Sequence, residues 1–192
     1  MNIHGKKVLL RALERSDMEE LRSYHNDPEV ANLLGGWAIP ISSEEQNKWY
    51  DRIGYDDRNL RLAIETEEDG FIGISNITGI DLKNRSAYHG ILIGKKNLRG
   101  HGYGRDTVMT TMKYAFEELQ LHRLDGDMIE HNIPSYNLFT KKCNWKEEGR
   151  RRDHCFRNNR YYDRILVGIL KSEYEELCEQ TGYWKVSEEV KL

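Results

Sequence analysis

Three glycines at alternate positions, Gly100, Gly102 and Gly104, stand between a strand-like segment and the most regular helical segment of the chain. Glycine lacks a Cβ, so such a run lets backbone N–H groups converge on an anion. In the segment behind it, Val108, Met109, Met112, Ala115, Phe116 and Leu119 fall on one face of a 3.6-residue helix. That helix would add its first-turn amides and the positive end of its dipole. The expected ligand is a phosphate or pyrophosphate. A Walker loop is excluded, because Gly94-Lys95 is followed by Lys96 rather than Ser or Thr. The dinucleotide fingerprint GxGxxG is not matched either, since the spacing here is GxGxG. On the glycines alone, a ligand-free hairpin or helix cap stays open as the alternative.

The rest of the chain reads as one domain over 1–182 with a loosely tied tail at 183–192. Val8 to Leu13 has the pattern of a first strand. Ser16-Asp17-Met18-Glu19 fits a capping box that opens a short helix. Asp27-Pro28 starts a second helix running to about Leu34, and Ser42 or Ser43 caps a third that carries Trp49, Tyr50 and Ile53. The period then turns strand-like in Leu60 to Glu65, Phe71 to Thr78 and Ala87 to Gly94, an antiparallel meander. After the glycine-opened helix, Leu124 to Glu130 is a strand, and Pro134-Ser135 opens a helix to about Lys142. Trp145 to Arg152 and Tyr161 to Leu170 form a last antiparallel pair, and a helix from Ser172 to Gln180 stops at Gly182.

Composition removes several classes. The chain has 192 residues and a net charge of -3, which argues against nucleic acid as a general partner. No apolar run approaches the roughly 18 residues of a membrane span, and the first residues lack a signal-peptide core. Cys143, Cys155 and Cys178 are odd in number and lack CxxC spacing, so neither a disulfide framework nor a metal site is expected. A cytoplasmic protein is the expectation.

Arg99-x-x-Gly102-x-Gly104 matches the Q/R-x-x-G-x-G/A motif of the GNAT superfamily of acetyl-CoA-dependent N-acetyltransferases, which the chain resembles over nearly its whole length. Tyr114-Ala115-Phe116, Leu121 to Leu124, Asn132-x-x-Ser135, Glu147-Glu148-Gly149 and Tyr162-Asp163 add to the resemblance. The nearest subgroup on this reading contains ribosomal-protein N-terminal (alanine/serine) acetyltransferases, and is itself similar to spermidine and aminosugar acetyltransferases. The resemblance implies an α/β (α+β) fold: a mixed, mostly antiparallel twisted sheet flanked by helices, with a splayed cofactor cleft. It implies acetyl transfer from acetyl-CoA to a primary amine, a protein N-terminus as first reading. A polyamine, aminosugar or antibiotic is the alternative, and an acyl-CoA-binding module with weak catalysis is a second one. No metal is implied, and a homodimer is the default.

The resemblance also carries residue roles. Arg99, Gly100, His101, Gly102, Tyr103 and Gly104 would hold the CoA pyrophosphate, mostly through backbone. Ile91, Leu92 and Ile93 would pair with the pantetheine arm. Thr107 is a candidate phosphate contact, Asn132 a pantetheine contact, and Ser135 a contact or only a helix cap. Family members often place a proton-donating Tyr seven residues after the Asn; Phe139 occupies that slot here, or Thr140 when counted back from Lys142-Cys143-Asn144-Trp145. Tyr136 is the nearest phenol and the candidate acid. Asp127 is the candidate base, with Glu130 and His131 as further options, and Tyr88 beside His89 fills a slot that is acidic in some relatives. Trp37, Trp49 and Tyr50 are candidate acceptor-slot residues, with core packing the simpler account of the last two. Arg150 to Arg152 reads as a solvated strand-end patch.

Overall fold

The computed structural model describes residues 1–36, 39–54 and 56–185. Trp37 lies outside the described residues, as does 186–192 of the expected tail. One eight-stranded sheet runs in the order β1-β2-β3-β4-β5-β6-β8-β7. Its strands are β1 (Ile3–His4), β2 (Leu9–Ala12), β3 (Leu60–Thr66), β4 (Gly70–Asp81), β5 (Ser86–Ile93), β6 (Arg123–Ile129), β7 (Lys146–Arg157) and β8 (Arg160–Leu170). The helices are α1 (Met18–His25), α2 (Pro28–Leu33), α3 (Ser43–Arg52), α4 (Tyr103–Lys113), α5 (Ile133–Tyr136) and α6 (Lys171–Thr181).

Hydrophobic alternation decides which face each helix covers. On one face, Met18, Leu21, Tyr24 and Val30 of α1 and α2 pack on Ala63, Phe71, Ile74 and Leu92. On the other, Val108, Met109 and Met112 of α4 and Tyr174 and Leu177 of α6 pack on Ile77, Ala87, Leu124, Met128, Ile165 and Val167. Asp27 caps α2 by accepting the Glu29 and Val30 amides, and Ser42 forms a capping box with Glu45. The Ser16–Glu19 box does not form. Glu14 and Asp17 make the box instead, and Arg11 also holds the Asp17 carboxylate at 2.8 and 2.9 Å.

All neighbouring strands are antiparallel except β5 and β6, which run parallel and pair only through Ser86–Arg123, Ala87–Leu124 and Tyr88–Asp125. Beyond Tyr88 the two strands part. Gly126 sits where they separate, and a Cβ there would stand 3.3 Å from the Trp145 ring and 3.4 Å from the His89 carbonyl. The family's splayed sheet is thus present.

The end of the chain departs from expectation at 183–184. Gly182 takes a left-handed turn, φ +59°, after α6, and Tyr183 and Trp184 fold back onto α4. Tyr183 Oη donates to Asp106 at 2.7 Å, and Trp184 Nε1 donates to Tyr174 at 2.9 Å.

Candidate active site

The parting of β5 and β6 opens a cleft of about 440 Å³. Ile91, Leu92 and Ile93 line it along β5, and Arg99, Gly100, Gly102 and Gly104 line it at the loop. Gly100 and Gly102 have φ of +88° and +90°, a conformation that a side chain would strain. The first helical bond of α4 runs from Asp106 N–H to the Gly102 carbonyl. The amides of Tyr103, Gly104 and Arg105 therefore lie outside the helical ladder, at the positive end of the dipole. Arg105 also lines the cleft, and its Nε is buried without a partner. Amides, glycines and an unsatisfied cation suit the phosphates of a CoA thioester; the apolar stretch from Leu98 to Ile91 suits its pantetheine arm.

Asn132 and Ser135 both line the cleft. The Asn132 side chain is already engaged, accepting the Ser135 amide at 3.1 Å and donating to the Leu33 carbonyl at 3.1 Å. Ser135 is thus capped and at the cleft at once.

Three expected cofactor residues keep their side chains out of this lining. Thr107 is fully buried in α4 and does not line the cleft, and its hydroxyl has no hydrogen-bond partner among the described residues. The Tyr103 side chain opens toward a separate groove with Lys6, Lys7 and Glu65 to Glu68. His101 is exposed and its carbonyl accepts Lys7 Nζ at 3.0 Å. The His101 N–H also donates to the Leu98 carbonyl at 3.4 Å, which leaves the Tyr103 backbone amide for the loop's task.

The acid expected of Tyr136 is not placed for it. Tyr136 Oη donates to Glu147 Oε2 at 3.0 Å, away from the cleft lining. Its phenol is held above its ordinary value, first by that bond. The helix after Asn132 widens into a π turn over Asn137–Lys142. A π turn accommodates one extra residue, which is why counting from Asn132 and counting back from Trp145 disagree by one. Phe139 is buried against His89 and Trp145, and the Thr140 hydroxyl donates back to the Tyr136 carbonyl.

The Asp127 carboxylate does not line the cofactor cleft but sits on the α1–α2 face, paired to Arg164 Nε at 2.5 Å. Tyr88 Oη accepts the Asp127 amide at 3.1 Å. Burial, then the Asp127 charge, pushes the Tyr88 phenol up to about 12. A Cβ on Gly35 would stand 2.7 Å from the Arg164 guanidinium, so this group lies directly under the 33–36 segment. Glu130 faces Arg150 at 4.0 Å. His131 Nε2 bonds the Asn32 carbonyl at 3.0 Å and its ring packs on Tyr162. Trp49 and Tyr50 pack on the α1 core, and the Tyr50 hydroxyl reaches the Leu13 carbonyl at 3.3 Å.

Sequence reasoning missed α2 as a roof. Val30, Leu33 and Leu34 line the cleft. The start of α2 is clasped by Arg99 and Lys96 on Glu29 at 2.6 and 2.9 Å. Its end is held by His131, Asn132, and Arg157, which donates to the Leu34 carbonyl at 3.0 Å. Leu138 and Lys142 complete the lining from the π turn. An Asp-Pro helix start gave no hint of this, since its partners come from about 100 residues away.

The GNAT acetyltransferase domain family matches residues 7–142. This chain belongs to the GNAT family. It is 30% identical to a spermidine N(1)-acetyltransferase of Vibrio cholerae, over 88% of this chain and 96% of that protein. A putative ribosomal N-acetyltransferase, YdaF of Bacillus subtilis, is 27% identical over 89% of this chain and 95% of that protein. The structure of spermidine N-acetyltransferase from Vibrio cholerae in complex with CoA and spermine superposes with a TM-score of 0.81 at 27% identity, covering 88% of this chain and 98% of the other. The GNAT protein is an acetyl-CoA-dependent N-acetyltransferase. These relatives include both a spermidine enzyme and a putative ribosomal N-acetyltransferase, so the ribosomal-protein subgroup is not singled out.

Among the described residues, no group of three or more His, Cys, Asp or Glu side chains is placed to hold a metal ion. Nor is any helix there long and apolar enough to cross a membrane.

Proposed function

We propose that the protein acetylates a small-molecule primary amine, with a polyamine of the spermidine class first among acceptors. The similarity to the spermidine enzyme, spanning 96% of that protein, carries this reading. The acceptor's ammonium first gives up one proton; the neutral nitrogen attacks the acetyl carbonyl, the C–N bond forms, the C–S bond breaks, CoA leaves as thiolate, and the new amide releases its second proton to solvent. Acetyl-CoA supplies the activated acyl group. Asp127, held by Arg164, is the carboxylate assigned as base, taking the first of these protons. With Phe139 in the acid slot, the departing thiolate takes its proton from solvent. Free Cys143, Cys155 and Cys178 suit a reducing, cytoplasmic setting. The homodimer carries over as an expectation for light scattering to check.

The test has two stages. Thermal unfolding with acetyl-CoA should raise the stability of the wild type by about 2.7 kcal/mol at a hundredfold excess over Kd, and Gly102→Glu should abolish the gain. CoA-thiol release is then measured with spermidine, an aminosugar and a peptide with a free N-terminus. Faster release with spermidine supports the proposal, and faster release with the peptide overturns it. A second reading, a binding module with weak catalysis, is favoured by Phe139 alone; binding without amine-dependent thiol release would select it.

A further inference from the structure

The structure assigns Tyr183 as a positioning residue for acetyl-CoA: its ring holds the Arg105 guanidinium at the cleft, and its hydroxyl donates to Asp106, the carboxylate that ties the phosphate loop's helix to the turn at residues 5–8. This rests on the cleft being the acetyl-CoA seat and goes beyond the choice of acceptor.

Asp106, in the first turn of α4, is 2% exposed and gathers four donors. It accepts the amides of Lys6 at 3.0 Å, Lys7 at 2.6 Å and Val8 at 2.9 Å, and the Tyr183 hydroxyl at 2.7 Å. Burial, then the bond to Asp106, raises the Tyr183 phenol, so it stays protonated and donating. The knot extends to the loop, because Lys7 Nζ donates to the His101 carbonyl at 3.0 Å. That ammonium would stand 3.6 Å from a Cβ on Gly102.

The Tyr183 ring meets two cations, Lys6 Nζ at 4.9 Å and the Arg105 guanidinium at 5.0 Å from its centroid. Arg105 and Lys6 are like charges near the positive end of a helix, where the Asp106 carboxylate and the Tyr183 ring are the groups that offset them. The negative face of the ring offsets their repulsion. Arg105 lines the cleft with its Nε buried and unsatisfied, a donor in want of an anion. A guanidinium held beforehand on a ring loses less freedom when a phosphate arrives. Only a chain that turns back at Gly182 can deliver this ring.

The test compares Tyr183→Leu, Tyr183→Phe, Arg105→Gln and the Tyr183→Leu/Arg105→Gln double variant in the full chain. Tyr183→Leu is expected to raise the KM for acetyl-CoA roughly tenfold with kcat within about twofold of wild type. Tyr183→Phe keeps the ring and should recover most of that loss. In the double variant, the loss of Tyr183 should add little to that of Arg105. Should Tyr183→Leu not fold, Tyr183→Phe and Arg105→Gln still decide: KM unchanged in Arg105→Gln overturns the proposal. So does a lowered melting temperature in Tyr183→Leu with KM unchanged, or fully independent effects in the double variant. Calorimetric titration of Gly102→Glu with CoA separates the underlying reading, because wild-type affinity there would remove the cleft as the seat.

Discussion

Phe139 stands edge-on to Trp145, with ring centroids 4.8 Å apart and planes at 80°. His89 completes the cluster at 5.8 and 6.1 Å from the two rings. The slot that holds a proton-donating Tyr in many relatives is thus part of the core. Phe139→Tyr would bury a hydroxyl among rings and is expected to cost about 1–3 kcal/mol of stability. Amine-dependent thiol release should not accelerate. Urea unfolding and a kcat measurement check both; a tenfold rise in kcat would place residue 139 at the thiol after all.

Asp127 and Arg164 form an ion pair whose side chains are 14% and 23% exposed. Removing one partner from a fully buried pair costs about 3–5 kcal/mol; with this exposure about 1–2 kcal/mol is expected for Asp127→Asn or Arg164→Met. Asp127→Asn should also lower kcat/KM for the amine by about 100-fold. A double-mutant cycle in urea should show a coupling of about 0.5–1 kcal/mol. Strictly additive losses would mean the two residues do not interact.

His89 is buried, and burial lowers its imidazole from 6.5 to about 4. The unfolded chain therefore takes up this proton first as pH falls. The stability from His89 is whole above the unfolded value of 6.5 and is lost as pH falls toward 4. The span corresponds to about 3 kcal/mol. Unfolding of wild type and His89→Gln across this range should show the wild type losing more. Parallel curves would mean that His89 titrates normally.

Gly94 lies against α1, and a Cβ there would stand 2.0 Å from Tyr24 Cγ. The ring cannot retreat, because it stacks on Phe71 at 6.0 Å. Gly94→Ala should destabilise by about 1–3 kcal/mol or more. At Gly149 nothing lies within 4 Å, so Gly149→Ala should stay within about 0.5 kcal/mol. Equal midpoints in a thermal scan would contradict this packing.

Local signals carried far in this chain. The meander, the glycine loop before an amphipathic helix, and the Asp27 and Ser42 caps each rest on residues a few positions apart, so spacing alone exposes them. The Ser16 box does not form because the chain turns into the helix earlier, with the box made by Glu14 and Asp17. The burial of Thr107 and Phe139 depends on which face of each helix meets the sheet, which spacing alone does not reveal. The π turn over Asn137–Lys142 explains the shifted motif only once the helix is seen to widen.

The sequence by itself determined the glycine loop and the order of the main elements, because these follow from glycine's missing Cβ and from periodicity; the family was legible through the resemblance carried by Arg99-x-x-Gly102-x-Gly104. Only the tertiary structure decided what closes the cleft and what steadies its cations. The roof of α2 depends on Arg99, Asn132 and Arg157, and the Arg105 contact depends on Tyr183, all distant along the chain. Such contacts form when packing brings remote side chains to one place, and no local pattern records them.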